Sequence, residues 1–130
     1  MASYLLDTSV IIDALNAKRS RRDLLLGLVK QGHLLACCAI NVADIYAGMR
    51  PREEQATEEF LRTLEYYYLT WPVARLAGLL KRDPARKGTT LTLADATIAA
   101  VALIYELTLM TDNVKDFPMK ELSLYPLPVA

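Results

Sequence analysis

Histidine and cysteine are almost missing from this chain, which has one His (His33) and two Cys, the adjacent Cys37 and Cys38. One imidazole and two neighbouring thiols make a poor start for a structural zinc site or a Ser-His-Asp triad. Consecutive strand residues point to opposite faces, so the two thiols are badly placed to bond to each other, and no disulfide framework or CxxC site is available. Net charge is missing too: 15 Lys and Arg balance 15 Asp and Glu, so no global field draws in a polyanion. Long apolar runs are absent. Apolar stretches without a charge, such as Leu34–Ala43 and Ala96–Tyr105, run to ten residues, and the longest uncharged stretch, Gln31–Ala43, to 13, short of the ~20 that cross a bilayer. Met1–Leu6 carries no basic segment and Asp7 interrupts the apolar run, so a secretory leader is not expected and a cytoplasmic location is.

What remains is enough for one core. The chain has 130 residues, 53% hydrophobic and 23% charged, with only five Gly and six Pro, and is read as a single domain over 1–130. Its charges are segregated: Lys18, Arg19, Arg21, Arg22 and Lys30 face a single acid, Asp23, over residues 18–30. Residues 81–87 are basic again, and residues 53–65 hold five Glu against Arg62. Solvated helix faces account for such segments as well as a docked polyanion does.

Short apolar runs alternate with helical patterns. Tyr4–Leu6, Leu34–Cys38, Tyr66–Leu69, Thr108–Met110 and Leu122–Tyr125 read as strands. Helices are expected over Val10–Leu15, Ser20–Gln31 with Leu24, Leu25, Leu28 and Val29 on one face, and Asn41–Met49. A helix opening at Pro51 has Ala56, Phe60 and Leu64 as its inner face, and Pro72–Arg82 and Thr92–Glu106 follow. Residues 83–90 form the Pro/Gly-punctuated loop. The alternation predicts an α/β domain around a parallel sheet.

Carboxylates in apolar surroundings stand out, because an unpaired charge there is costly. Asp7 lies between Tyr4-Leu5-Leu6 and Val10-Ile11-Ile12, and Asp44 lies in NVADIYAG. Asp95 is the only charge from Leu91 to Tyr105, and the turn TDNVKDF holds Asp112, Asn113 and Asp116. Capping is an ordinary explanation for each. Asn41-x-x-Asp44, Thr92-x-x-Asp95 and Ser20-x-x-Asp23 all have the form of a capping box. Topology favours a shared purpose for the other acids, since residues just after a parallel strand and residues at a crossover helix N-terminus lie on the same carboxyl edge. Asp7, Asp44, Asp95 and the Asp112–Asp116 turn all fall there. Crowded acids raise one another's pKa, and a divalent cation relieves the repulsion. Oxygen-only ligands select Mg²⁺ or Mn²⁺, which neutralises a phosphodiester oxygen and makes water easier to deprotonate.

The ordered segments LLDTSVIID, NVADIYAG, LTLADATIAA and TDNVKDF resemble the PIN-domain nucleases, in particular the VapC-type toxin ribonucleases of toxin–antitoxin pairs. The resemblance covers essentially the whole chain. It implies a three-layer α/β/α sandwich around a short, mainly parallel twisted sheet, and Mg²⁺- or Mn²⁺-dependent endoribonuclease activity. A VapB-type antitoxin and a homodimer are implied as well. Carried over residue by residue, Asp7 and Asp95 match the core metal ligands, while Asp44 and Asp116 complete the catalytic, metal-holding set. Thr8, Ser9, Thr111, Asp112 and Asn113 stand as supporting residues. Two positions depart from the family pattern: Asp44 stands where Glu is usual, one methylene shorter, and Asn113 stands where many relatives carry Asp. Arg19, Arg21, Arg22, Arg82, Arg86 and Lys87 are candidate grips for flanking RNA phosphates. The Leu24/Leu25/Leu28 and Phe60/Leu64 helices are candidate walls of an antitoxin groove. A non-catalytic interaction module with the same fold is the alternative. A phospho-accepting receiver fits poorly, because no Asp ends the Tyr66–Leu69 strand.

Overall fold

The computed structural model describes residues 1–83 and 91–128. Five strands, β1 (Ser3–Leu6), β2 (Leu34–Cys38), β3 (Glu65–Tyr67), β4 (Thr108–Met110) and β5 (Leu124–Tyr125), form one sheet in the order β3-β2-β1-β4-β5. Every pairing is parallel. The helices are α1 (Thr8–Leu15), α2 (Arg21–Lys30), α3 (Ala39–Gly48), α4 (Glu54–Leu61), α5 (Trp71–Arg82) and α6 (Leu93–Ile104). Short 3₁₀ turns cover Pro51–Glu53 and Val114–Asp116.

Strand alternation sorts the core into two layers. Leu5, Ala36, Cys38 and Leu109 point to one face, where they pack with Val73 and Ala77 of α5 and with Ile98 and Val101 of α6. Leu6, Leu35, Cys37 and Met110 point to the other, against Val10 and Ile11 of α1, Leu25 and Leu28 of α2, Ile45 of α3 and Leu61 of α4. The result is the expected three-layer sandwich, and adjacent Cys37 and Cys38 lie in different layers. Helix α6 is buried without interruption from Ala96 to Ala102, as an all-apolar helix must be. Gly32, at φ 88°, ends α2 in the left-handed region, and His33 N–H closes the turn by donating to the Leu28 carbonyl at 3.0 Å.

Several local expectations change. On α4 the buried residues are Thr57 and Leu61; of the expected inner face Leu64 is buried and Phe60 packs half-buried against the core, while Ala56 is exposed. On α2 only Arg21, Leu25 and Leu28 are buried, and Val29 is exposed. Ser20 is itself left-handed at φ 56° and its hydroxyl caps nothing, so Ser20-x-x-Asp23 is not a capping box. Strand β3 begins at Glu65 rather than Tyr66 and ends at Tyr67 rather than Leu69. The loop read over 83–90 falls, after Asp83, outside the described residues. Among the described residues no helix is long and apolar enough to cross a membrane.

Candidate active site

Strand β1 is central, and the chain leaves it towards β2 on one side and later returns as β4 on the other. The carboxyl ends of β1 and β4 therefore flank the point where the winding reverses, the place where open α/β sheets receive ligands. The register Leu6↔Met110 sets Asp7 beside Thr111 as the two strands end. Asp7 N–H extends the ladder to the Met110 carbonyl at 2.9 Å. Its carboxylate turns into the cleft, where Oδ1 accepts from Thr8 N–H at 2.9 Å and Oδ2 from the Thr111 hydroxyl at 2.7 Å. Thr111 Oγ1 also accepts from Asn113 N–H at 3.0 Å. That second bond commits the Thr111 proton to Asp7.

Asp7 is buried, and burial pushes its carboxyl above the usual range. Its two hydrogen bonds oppose that rise, while the charges of Asp44 and Asp112 add to it. Asp95 stands in the first turn of α6, behind the Thr92 cap whose hydroxyl accepts from Asp95 N–H at 3.0 Å. Burial raises its carboxyl too; the Thr92 contact lowers it, and Asp7, Asp116 and Asp44 raise it further. Asp7, Asp44, Asp95 and Asp116 are thus one electrostatic group. Among the described residues no Lys or Arg forms an ion pair with any of them.

Asp44 lies in the second turn of α3 and is exposed. It is not the acid of an Asn41 capping box. The box sits three residues earlier, with Cys38 at the N-cap and Asn41 at N3, and Cys38 N–H donates to Asn41 Oδ1 at 2.8 Å. Capping therefore gives no reason for an acid at 44. Thr8 supplies a contact instead, its hydroxyl 3.4 Å from Asp44 Oδ2. Asp116 ends the 3₁₀ turn after β4, half-buried.

Other expected residues are used differently. Asp112 turns away from the cleft to Arg21, whose Nη2 donates to Oδ1 at 2.6 Å, with Arg19 Nη1 3.7 Å from Oδ2. Arg21 is 2% exposed and also donates to the Pro128 carbonyl, so it is unavailable as a phosphate grip. Arg22 is engaged as well, donating to the Ala14 and Leu15 carbonyls at the end of α1. Arg86 and Lys87 lie outside the described residues. Asn113 contributes its backbone N–H and exposes its side chain, and Ser9 Oγ is buried without a partner among the described residues. His33 precedes β2, at the opposite edge of the sheet, where Nδ1 accepts from Ala2 N–H. The thiols are inert: burial pushes Cys37 up to about 11 and raises Cys38 as well.

The donor set suits a hard divalent cation, being all oxygen, partly buried, mutually repelling and unpaired with protein cations. Among the described residues, however, no three His, Cys, Asp or Glu side chains converge on one ion-sized point. Asn41 is the residue that sequence reasoning missed; its signal was an amide in the otherwise apolar CCAINVA segment.

An apolar trough opens between α1, α2 and α4, about 840 Å³ in volume and lined by Leu25, Leu26, Val29, Phe60 and Leu64 among others. A second cavity of about 460 Å³ shares Leu15 and Ala56 with it and reaches Asp44.

The PIN domain family profile matches residues 4–118. Ribonuclease VapC19 of Mycobacterium tuberculosis is 30% identical over 115 residues, spanning 88% of this chain and 92% of the relative. Ribonuclease VapC10 of the same organism is 34% identical over 117 residues, spanning 90% and 87%. Among solved structures, VapBC2 from Rickettsia felis bound to a DNA fragment from its promoter superposes at a TM-score of 0.80. The two chains are 25% identical there, and 95% of this chain and 97% of the other are covered. A toxin-antitoxin complex from Klebsiella pneumoniae gives a TM-score of 0.74 at 26% identity, covering 95% and 99%.

Proposed function

Because the chain belongs to the PIN domain family, we propose that it is a ribonuclease of the VapC type, the toxin of a toxin–antitoxin pair, hydrolysing RNA phosphodiesters with the help of Mg²⁺ or Mn²⁺. The observation that carries this reading is the cleft itself, where Asp7, Asp44, Asp95 and Asp116 interact through their charges at the sheet's winding reversal with no protein cation among the described residues to neutralise them. Asp7 and Asp95 would hold the ion. When bound, it would neutralise a non-bridging phosphate oxygen and favour deprotonation of the attacking water.

The chain's own residues do the rest. Thr111 and Thr8 N–H fix the Asp7 carboxylate so that it meets the substrate without rearranging. The N-termini of α1 and α6 turn partial positive charge towards an incoming phosphate. Asp44 and Asp116 extend the acidic surface on either side and are placed to orient water. The antitoxin's seat is the α1–α2–α4 trough, whose exposed Leu26 and Val29 offer anchors to an apolar segment. A homodimer is part of the same reading, tested by sizing the isolated chain.

The test is RNA cleavage by the antitoxin-free protein with Mg²⁺, Mn²⁺ or EDTA, beside Asp7→Asn. Cleavage that needs the ion and disappears in the variant is expected. Cleavage unaffected by EDTA or by the substitution would overturn the mechanism. Partner binding with no cleavage under any condition would leave an interaction module. Leu26→Asp should abolish capture of the antitoxin while leaving cleavage intact.

A further inference from the structure

Asn41 is fully buried, and a buried amide has to satisfy both of its ends. Its Oδ1 is taken by Cys38 N–H at 2.8 Å, a backbone donor that fixes which way the amide faces. The NH₂ end must then point at Thr8 Oγ1, 3.2 Å away. Once Thr8 Oγ1 has accepted that proton, its own hydrogen is free to be donated, and Asp44 Oδ2 is the acceptor facing it at 3.4 Å. The chain of bonds therefore has one direction, running from Cys38 N–H through Asn41 and Thr8 to Asp44. It mirrors the arrangement at Thr111, where Asn113 N–H commits the threonine proton to Asp7.

We propose that Asn41 and Thr8 are positioning residues that hold the Asp44 carboxylate at the edge of the cleft through this directed relay. The proposal rests on the ribonuclease reading and adds to it. Asp44 stands on the exposed side of α3 with no other hydrogen bond or ion pair to it among the described residues, and it is shorter than the Glu of the family pattern. A short carboxylate that must reach inwards is guided by the Thr8 hydroxyl, and that hydroxyl is oriented from behind by the buried Asn41.

The experiment is a substitution cycle. Thr8→Val keeps the shape and removes the hydroxyl; it should lower kcat for RNA cleavage about tenfold with little change in KM. Thr8→Ser, which keeps the hydroxyl, should recover most of that loss. Asn41→Asp still accepts from Cys38 N–H but cannot donate to Thr8, so the Thr8 proton turns to residue 41 and activity falls as in Thr8→Val. In an Asp44→Ala background, Thr8→Val should cost nothing further. A Thr8→Val enzyme equal to the parent, or losses that multiply in the double variant, would overturn the relay. The same cycle read by melting temperature needs no turnover: Thr8→Val and Asp44→Ala are non-additive if the bond exists and additive if it does not. Should the parent chain fail to cleave RNA, the ribonuclease reading falls while the melting cycle still decides the relay.

Discussion

Asp7 and Asp112 stand at the same edge of the sheet, on neighbouring strands, and are treated in opposite ways. Asp112 is met by Arg21 at 2.6 Å and by Arg19 at 3.7 Å, and the buried guanidinium also ties in the Pro128 carbonyl. Asp7 is met by hydroxyl and amide hydrogens but, among the described residues, by no cation, and it shares its surroundings with further acids. A half-buried acid paired with a buried base fastens the α2 N-terminus and the chain's tail to the turn after β4. Asp7, with no such base beside it among the described residues, carries a charge that its surroundings disfavour. Within TDNVKDF, where the sequence reading gives the acidic role to Asp116 and a supporting one to Asp112 and Asn113, the same contrast recurs: Asp112 is ion-paired, and Asp116 has no ion pair among the described residues.

Substitution sharpens that contrast first through activity. Asp7→Asn or Asp95→Asn should lower metal-dependent RNA cleavage by about 10³-fold or more, whereas Asp112→Asn should keep most of it, measured as initial rates on one RNA. Equal losses in all three would erase the distinction.

Stability should reverse the order. Arg21→Met strands Asp112 and should cost about 3 kcal/mol in denaturant unfolding, while Arg21→Met with Asp112→Leu should recover much of it. Asp7→Asn should raise the melting temperature of the ion-free protein at neutral pH, because it removes a charge that burial and its neighbours disfavour. The pH response is the smallest effect. The folded-state values of Asp7 and Asp95 lie above the usual 3.8, so as pH falls the native state takes up protons before the unfolded chain does. Between those raised values and 3.8 these two groups therefore make the ion-free protein more stable as pH drops, opposite to an ion-paired acid. Melting curves of parent and Asp7→Asn across mildly acidic pH should show this gain shrinking in the variant. Saturating Mn²⁺ should suppress it in the parent.

Much of this was legible beforehand because apolar periodicity is a property of the chain itself. Leu34–Cys38 and Thr108–Met110 appear as strands with the bounds their sequence suggests, and the edge where Asp7, Asp95 and Asp116 gather follows from parallel topology. What stayed hidden depends on partners distant in sequence. Arg21 looks like one basic residue among several until Asp112 and Pro128, from the far end of the chain, close around it. Asn41 looks like an N-cap until α3 begins directly after β2, at Ala39, and moves the cap three residues back to Cys38. On α4, Thr57, polar by type, is buried while Ala56 is left outside.

The two adjacent thiols offer a practical instrument. Cys37 looks into the layer of α1 to α4 and Cys38 into that of α5 and α6, both 1% exposed. Alkylation in the native state, followed separately for single-cysteine variants, would clock how often each half of the sandwich breathes open.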